Sequence, residues 1–472
     1  MSRQVMHLLP RWLFVGLMVL LTIAVIQLAP AEENNQKNTI GWIGLALSAV
    51  AIASALLVLR VNKEHVEKAN LLRFMVVISP TVLLMASFAV AYSRISDVQL
   101  AGMNTVYLLL AVSVTVPWIS SVASRPLYWP LFGISREGDG FRDEIYRSFA
   151  KNWRPVLAWS LVAVAVSAAA FGIAQATTWQ ATALYAFGVF GNIVFAQLLV
   201  PAQEAQRYGV VLAAWVIYAA IIAIFPQWWL LAPLAGSVPA LVLLGKHLVR
   251  FTDPADVTAR GIVVDMYTGF TIGAVLWADK LFLVFVYGQP VMDLMYVVYI
   301  ALIPMILGTA MYWTRQYLFM QASVQQIWTV IETVPSGKLE DATRGLSVPV
   351  SKSITDTLIP TSIAMVSIGL LLPFIVNGYS QYWMALLVMP LVALTLMICN
   401  HHLEQVSQTR VATALNLAAT VACTSLAVLP INTAYLVIIA VYLVLIAISF
   451  WLRAWTINDA PYRLFWKEAV SL

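Results

Sequence analysis

Residues 261–287 read GIVVDMYTGFTIGAVLWADKLFLVFVY, and this stretch decides what kind of fold the chain has. It exceeds the roughly 20 apolar residues that a helix needs to cross a bilayer. In its second half it sets an acid and a base, Asp279 and Lys280, side by side. Ionisable side chains are costly in lipid and by default mark a working site. Adjacent residues on a helix point about 100° apart, so the pair is not expected to neutralise itself face to face, and at least one member is expected to face a polar cavity. A carboxylate there can bind and release H+ or Na+, and the ammonium can attract an anionic group. A buried ion pair with residues of other helices, serving packing alone, is the competing reading.

The rest of the chain has the same character. Of 472 residues, 61% are hydrophobic and 10% charged, with a mean hydropathy of +0.84. A soluble chain carries roughly a quarter charged residues, which excludes a large soluble enzyme and makes the bilayer the solvent. Hydropathy predicts fourteen transmembrane helices, at 12–29, 39–60, 73–93, 103–124, 155–175, 179–201, 208–225, 227–249, 261–287, 291–314, 357–377, 381–399, 410–430 and 433–456. Pro226 separates the seventh from the eighth with almost no polar linker, and the first reads as a retained span rather than a cleaved signal. Under this alternation, exterior segments hold only Lys37 and Arg94 of the 27 Lys and Arg. The positive-inside rule then puts both termini in the cytoplasm of a cell whose inner membrane carries the protein. The net charge of +5 therefore reports topology and does not point to nucleic acid.

Two interior loops are long. Residues 125–154 contain Arg136, Glu137, Asp139, Arg142, Asp143, Glu144, Arg147 and Lys151, and residues 315–356 contain Glu332, Lys338, Glu340, Asp341, Arg344 and Lys352. Both read as surface-lying amphipathic helices followed by a turn. From residue 73 the order is two helices, a long basic loop and four helices, and from residue 261 the same order recurs. The expected architecture is an all-α polytopic membrane protein. It has an N-terminal helix pair at 1–69, a six-helix N-lobe at 70–257 and a six-helix C-lobe at 258–472. Same-orientation repeats of this kind are a transporter plan with a site between them near the midplane. Pro117 and Pro304, in matching helices, are candidate hinges.

Other polar positions are weaker candidates. Asp265, Tyr267, Asn192 and Gln197 are candidates to line a hydrated pathway for hydroxyl-rich ligands, with interhelical hydrogen bonding as the alternative. Gly269 and Gly273 have the spacing that lets helices approach closely. His401 and His402, beside Glu404, read as a wet loop at the end of a span. Cys399 and Cys423 read as small buried apolar side chains; two cysteines build neither a disulfide framework nor a four-thiolate metal site. The sequence has no GxxxxGK[ST] phosphate loop, selectivity filter, arginine-rich voltage sensor or HExxH motif. Neither an enzyme activity, a metal site nor an organic cofactor is expected.

The second half resembles a known family. The run Tyr267–Gly288, YTGFTIGAVLWADKLFLVFVYG, is similar to the helix that opens the second half of Pel-type exopolysaccharide transporters. These form the PelG-like branch of the multidrug/oligosaccharidyl-lipid/polysaccharide (MOP) flippase superfamily. The Trp-x-Asp-Lys core is Trp277, Asp279 and Lys280; an Ile-Pro pair follows at Ile303 and Pro304, then a Tyr-rich segment around Tyr312 to Trp328 and a Gly-x-Leu-Glu-like stretch at Gly337 to Glu340. The resemblance covers about residues 262–345. The Gly-Phe-Glu-Leu-Arg-like opening usual in the family is missing, and the leading helix pair is extra. The resemblance implies a twelve-helix core of two six-helix lobes, alternating access, and export or flipping of a polysaccharide or lipid-linked oligosaccharide. It also implies transport or coupling roles for Trp277, Asp279 and Lys280, and polysaccharide synthase proteins as partners. A cation-coupled drug or metabolite extruder of the same fold and a non-transporting scaffold of an envelope-synthesis complex are the alternatives; an integral-membrane transferase is disfavoured for lack of loop chemistry.

Overall fold

The computed structural model describes residues 94–132, 140–316, 347–375, 383–405 and 408–458, with isolated positions between 80 and 91, at 134, and between 326 and 338. The leading pair at 1–69 lies outside the described residues, as does most of the second long loop. The chain divides into two compact units, whose described parts fall within Met75–Met292 and Asp293–Leu472.

The first unit opens with a short antiparallel hairpin, β1 (Gln99–Leu100) and β2 (Met103–Asn104). Its turn residues, Ala101 and Gly102, both have positive φ, 54° and 82°, the backbone of a tight mirror-image turn. This hairpin is the one departure from helix among the described elements. Six helices follow: α1 (Thr105–Phe132), α2 (Phe141–Gln175), α3 (Trp179–Glu204), α4 (Tyr208–Ile224), α5 (Ala232–Leu244) and α6 (Ala259–Tyr287). Local chemistry sets their ends. The Thr178 and Thr258 hydroxyls accept from the backbone N–H of Ala181 (3.3 Å) and Gly261 (3.1 Å) at the starts of α3 and α6, satisfying donors that have no helical partner. Gly288, with φ +66°, closes α6 in a conformation that disfavours a side chain. Pro226 ends α4 and starts a 3₁₀ turn, Pro226–Leu231, where the missing proline N–H is no loss.

The second unit holds α7 (Met292–Met311), α8 (Ser347–Ile375), α9 (Trp383–Gln405), α10 (Thr409–Cys423) and α11 (Ile431–Asn458). The internal packing repeats. In the first unit α2 packs on α3, α3 on α5 and α4 on α5; in the second α8 packs on α9, α9 on α11 and α10 on α11. Among the described residues, eight helices are long and apolar enough to cross a membrane; the expected count of fourteen rests partly on positions outside them. Lipid-facing surfaces are legible in exposed large apolar residues that a water-soluble fold would bury. Leu436, Leu443, Val444 and Trp451 mark one on α11; Leu161, Val162, Val166 and Ile173 mark one on α2.

Two boundaries differ from expectation. The first long loop is shorter than 125–154: α1 continues to Phe132 and α2 already starts at Phe141. A helix propagates through the headgroup region without any change in backbone bonding, so hydropathy ends a span earlier than the backbone does. The second difference concerns α6. Loop lengths place 258–287 at the start of the C-lobe, but the helix belongs to the first unit and lies along α1.

Candidate functional site

The α1–α6 seam explains that membership. At Gly269 a Cβ would overlap the Ser121 carbonyl, and at Gly273 it would overlap the Ser121 hydroxyl and come within 2.8 Å of Trp118 Cδ1. Only a side chain of hydrogen permits this approach, so the two glycines are a packing face. Side chains of the first unit then bond to backbone carbonyls of α6. Ser121 Oγ donates to Gly269 O (3.0 Å), Trp118 Nε1 to Phe270 O (2.8 Å), Tyr107 OH to Val284 O (2.9 Å), and Gln175 Nε2 to Phe285 O. The pairing runs antiparallel, low numbers on α1 against high numbers on α6. Loop charge and length carry no information about such contacts, so a boundary drawn from them falls before α6, whereas the contacts group α6 with the first unit.

Asp279 and Lys280 sit on this anchored helix, each 1% exposed. Lys280 Nζ lies 2.8 Å from Asp279 Oδ1 and donates to Leu276 O at 3.0 Å. This corrects the expectation that the two cannot neutralise each other. The lysine stem is long enough to fold back along its own helix, one turn toward the N-terminus, and it meets the short aspartate on the way. Among the described residues the pair is contained within one helix and makes no bridge to another, which the packing alternative supposed. A self-neutralised pair meets much of the desolvation cost of two buried charges through their mutual attraction, and it stays uncharged overall until a proton, a cation or an anion competes for one partner.

The remaining candidates are scattered. Trp277 is half-buried beside the pair. Asp265 is half-exposed, with Arg125 of α1 as the charge that acts on it. Tyr267 is 48% exposed. Asn192 and Gln197 are buried and engaged in interhelical bonds. Tyr218 OH donates to Asn192 Oδ1 (2.9 Å); Gln197 Nε2 donates to Ala123 O (2.9 Å) and to Ser160 Oγ (2.8 Å), and Gln197 Oε1 accepts from Trp153 Nε1 (3.0 Å). Both therefore make bonds to side chains of neighbouring helices. Pro117 and Pro304 lie inside α1 and α7. Cys399 and Cys423 are buried thiols, as their apolar reading expected. Among the described residues no group of His, Cys, Asp and Glu can hold a metal ion.

A second buried polar centre escaped the sequence reading. His402 is 1% exposed, not part of a wet loop. Its Nε2 is 3.2 Å from Ser353 Oγ on α8, its Nδ1 is 3.4 Å from Arg453 Nη1 on α11, and its ring lies 6.0 Å from that of Tyr312 in the turn after α7. Next to it His401 Nδ1 is 3.5 Å from Glu404 Oε2. On neighbouring positions Asn400 Nδ2 donates to Asn416 Oδ1 of α10 (2.7 Å). The available signal was the coincidence of a histidine pair at the end of one span with an arginine, Arg453, inside the last.

No protein-family model matches the sequence, and no curated protein matches it. The structure is similar to a solved one described as the outward-facing conformation of a multidrug resistance MATE family transporter of the MOP superfamily, with 10% sequence identity and a TM-score of 0.48 over 83% of this chain and 96% of that one.

Proposed function

We propose that the chain is a membrane transporter of the MOP type that exports or flips a carbohydrate-containing substrate, a polysaccharide or lipid-linked oligosaccharide, by alternating access with H+ or Na+ as the coupling ion. The observation that carries this reading is the Asp279–Lys280 pair: a complete acid and base, 1% exposed each, in the second half of an apolar helix. Packing alone is served at lower cost by apolar side chains of the same volume, whereas a neutral pair that opens on protonation of the carboxylate, or when an anionic group reaches the ammonium, is a coupling element. The carbohydrate cargo is supported by the resemblance of residues 262–345, with Trp277 beside the pair and Ile303 and Pro304 on the next helix. Polysaccharide synthase proteins would be the partners, and a bacterial inner membrane the location.

The test is genetic and then biochemical. Disruption of the gene should abolish the extracellular polysaccharide. Asp279→Asn and Lys280→Ala should each fail to restore it while reaching the membrane at wild-type level. Normal export by both variants removes the pair from the mechanism. In proteoliposomes, movement of a fluorescent lipid-linked oligosaccharide supports the carbohydrate reading; movement of a lipophilic cation instead makes the chain a drug extruder.

A further inference from the structure

The buried centre of the second unit has a protonation logic that the hydrogen bonds themselves assign. A guanidinium only donates, so His402 Nδ1, 3.4 Å from Arg453 Nη1, must be an acceptor. The ring proton then resides on Nε2, which faces Ser353 Oγ at 3.2 Å. His402 is thus the neutral Nε2–H tautomer, joining three helices: α8 through Ser353, α11 through Arg453, and α9 on which it stands. We propose that His402 is a proton-binding site of the second unit. An incoming proton bonds to the Nδ1 lone pair now shared with Arg453, the Arg453-to-His402 hydrogen bond breaks, and the seam between α9 and α11 loosens.

The physical reason is charge. Once Nδ1 carries a proton, both Nδ1 and Nη1 are donors, and two cations stand at a separation of about one hydrogen bond in a water-poor setting, where Coulomb repulsion is weakly screened. Among the described residues, the contacts of the other titratable groups around the ring leave this conflict in place. On its own helix His401 is turned to Glu404, at 3.5 Å, and Cys399 is a buried thiol. From the turn after α7 comes the Tyr312 ring. On α8, Lys352 is exposed and Asp356 half-exposed, and on α10 Arg410 is exposed. The role of this proton as a coupling ion rests on the transport reading above; the binding of a proton at His402 does not.

The test uses the full chain in lipid nanodiscs with ¹⁵N-labelled histidine, followed by NMR as the pH is lowered from about 8 to about 4, the range where histidine chemistry operates. One ring should start as the Nε2–H tautomer, gain a proton on Nδ1, and vanish from the spectrum in His402→Gln. In Arg453→Gln the same ring should titrate at higher pH, because the neighbouring cation is gone; in Arg453→Lys, which keeps the charge, it should stay near the wild-type midpoint. Hydrogen exchange at acid pH should be faster over the last two turns of α9 in the wild type than in His402→Gln. A His402 ring that stays neutral throughout, or one whose midpoint is the same in the wild type, Arg453→Lys and Arg453→Gln, overturns the proposal. Proton binding by a chain that moves no substrate upholds this site and refutes the transport reading; transport whose pH response is untouched in His402→Gln upholds that reading and removes the His402 proton from coupling, while the NMR titration alone decides whether the proton binds.

Discussion

Helices α3 and α9 occupy the same place in the two units, yet they spend their buried polar groups differently. Gln197 lies 18 residues after the first residue of α3, Trp179, and His402 lies 19 after the first residue of α9, Trp383. Each reaches the preceding helix: Gln197 meets Trp153 and Ser160 of α2, and His402 meets Ser353 of α8. The amide of Gln197 has one protonation state, and its donor and acceptor atoms are all engaged among Trp153, Ser160 and Ala123. The imidazole of His402 has a second state, which its arginine neighbour opposes. One position of the repeat is therefore closed chemically, and its counterpart is able to change.

The largest expected effect falls on the frame around the closed centre. Gly273→Leu places a branched side chain where Ser121 and Trp118 already stand, so α6 cannot lie on α1. The variant should yield no monodisperse protein in detergent, while Gly140→Ala, at a position open to 4 Å, behaves as wild type in size-exclusion chromatography. A well-behaved Gly273→Leu protein would refute the seam. Next comes the charge pair. Asp279→Ala strands the Lys280 ammonium in an apolar setting and should lower stability by about 3–5 kcal/mol, read by thermal unfolding. Replacing both residues, as Asp279→Ala with Lys280→Met, should recover most of that loss, because nothing charged is left unpaired.

Gln197→Leu tests whether the first unit's centre is a lock. It leaves the Trp153 indole N–H buried without its acceptor, at a cost of about 1–3 kcal/mol. The drop should be the same at acid and neutral pH, since no group at this centre titrates in that range. A pH-dependent drop would break the contrast with His402.

Sequence reading found the helices and lost some of their relations. The spans at 179–201, 261–287 and 433–456 correspond to α3, α6 and α11 within a few residues, because a bilayer requires apolar length and hydropathy measures it. Loop lengths suggested a recurrence of helix order, and α2, α3, α4 and α5 do pack among themselves in the pattern of α8, α9, α10 and α11. The membership of α6 was not legible, since it depends on two glycines, three side-chain-to-carbonyl bonds from α1 across the seam and a fourth from Gln175 of α2. The Asp279–Lys280 site was legible as an anomaly of polarity, though its geometry was not: the angular rule for neighbouring residues ignores how far a lysine stem can fold. His402 and Arg453 were missed for a related reason. Each lies near the charged edge of a span, where polar residues are commonplace, and burial there is decided by α8 and α11 closing over α9, which no local pattern encodes.

His402→Gln is the smallest change and bears most directly on the comparison, because it gives α9 the residue that α3 already has. A glutamine offers an N–H toward Ser353 and a carbonyl oxygen as acceptor for Arg453, so each present partner keeps a bond of the right polarity. At neutral pH the loss of stability should be no more than about 1 kcal/mol, the net worth of an ordinary hydrogen bond remade in poorer geometry. His402→Leu, which offers Arg453 no acceptor at this position, should cost more, since the buried guanidinium loses the Nδ1 bond. If the two substitutions prove equally damaging by thermal unfolding, the ring is held by its shape and not by its bonds to Ser353 and Arg453. The two centres would then differ in size rather than in chemistry, and the second unit would be as closed as the first.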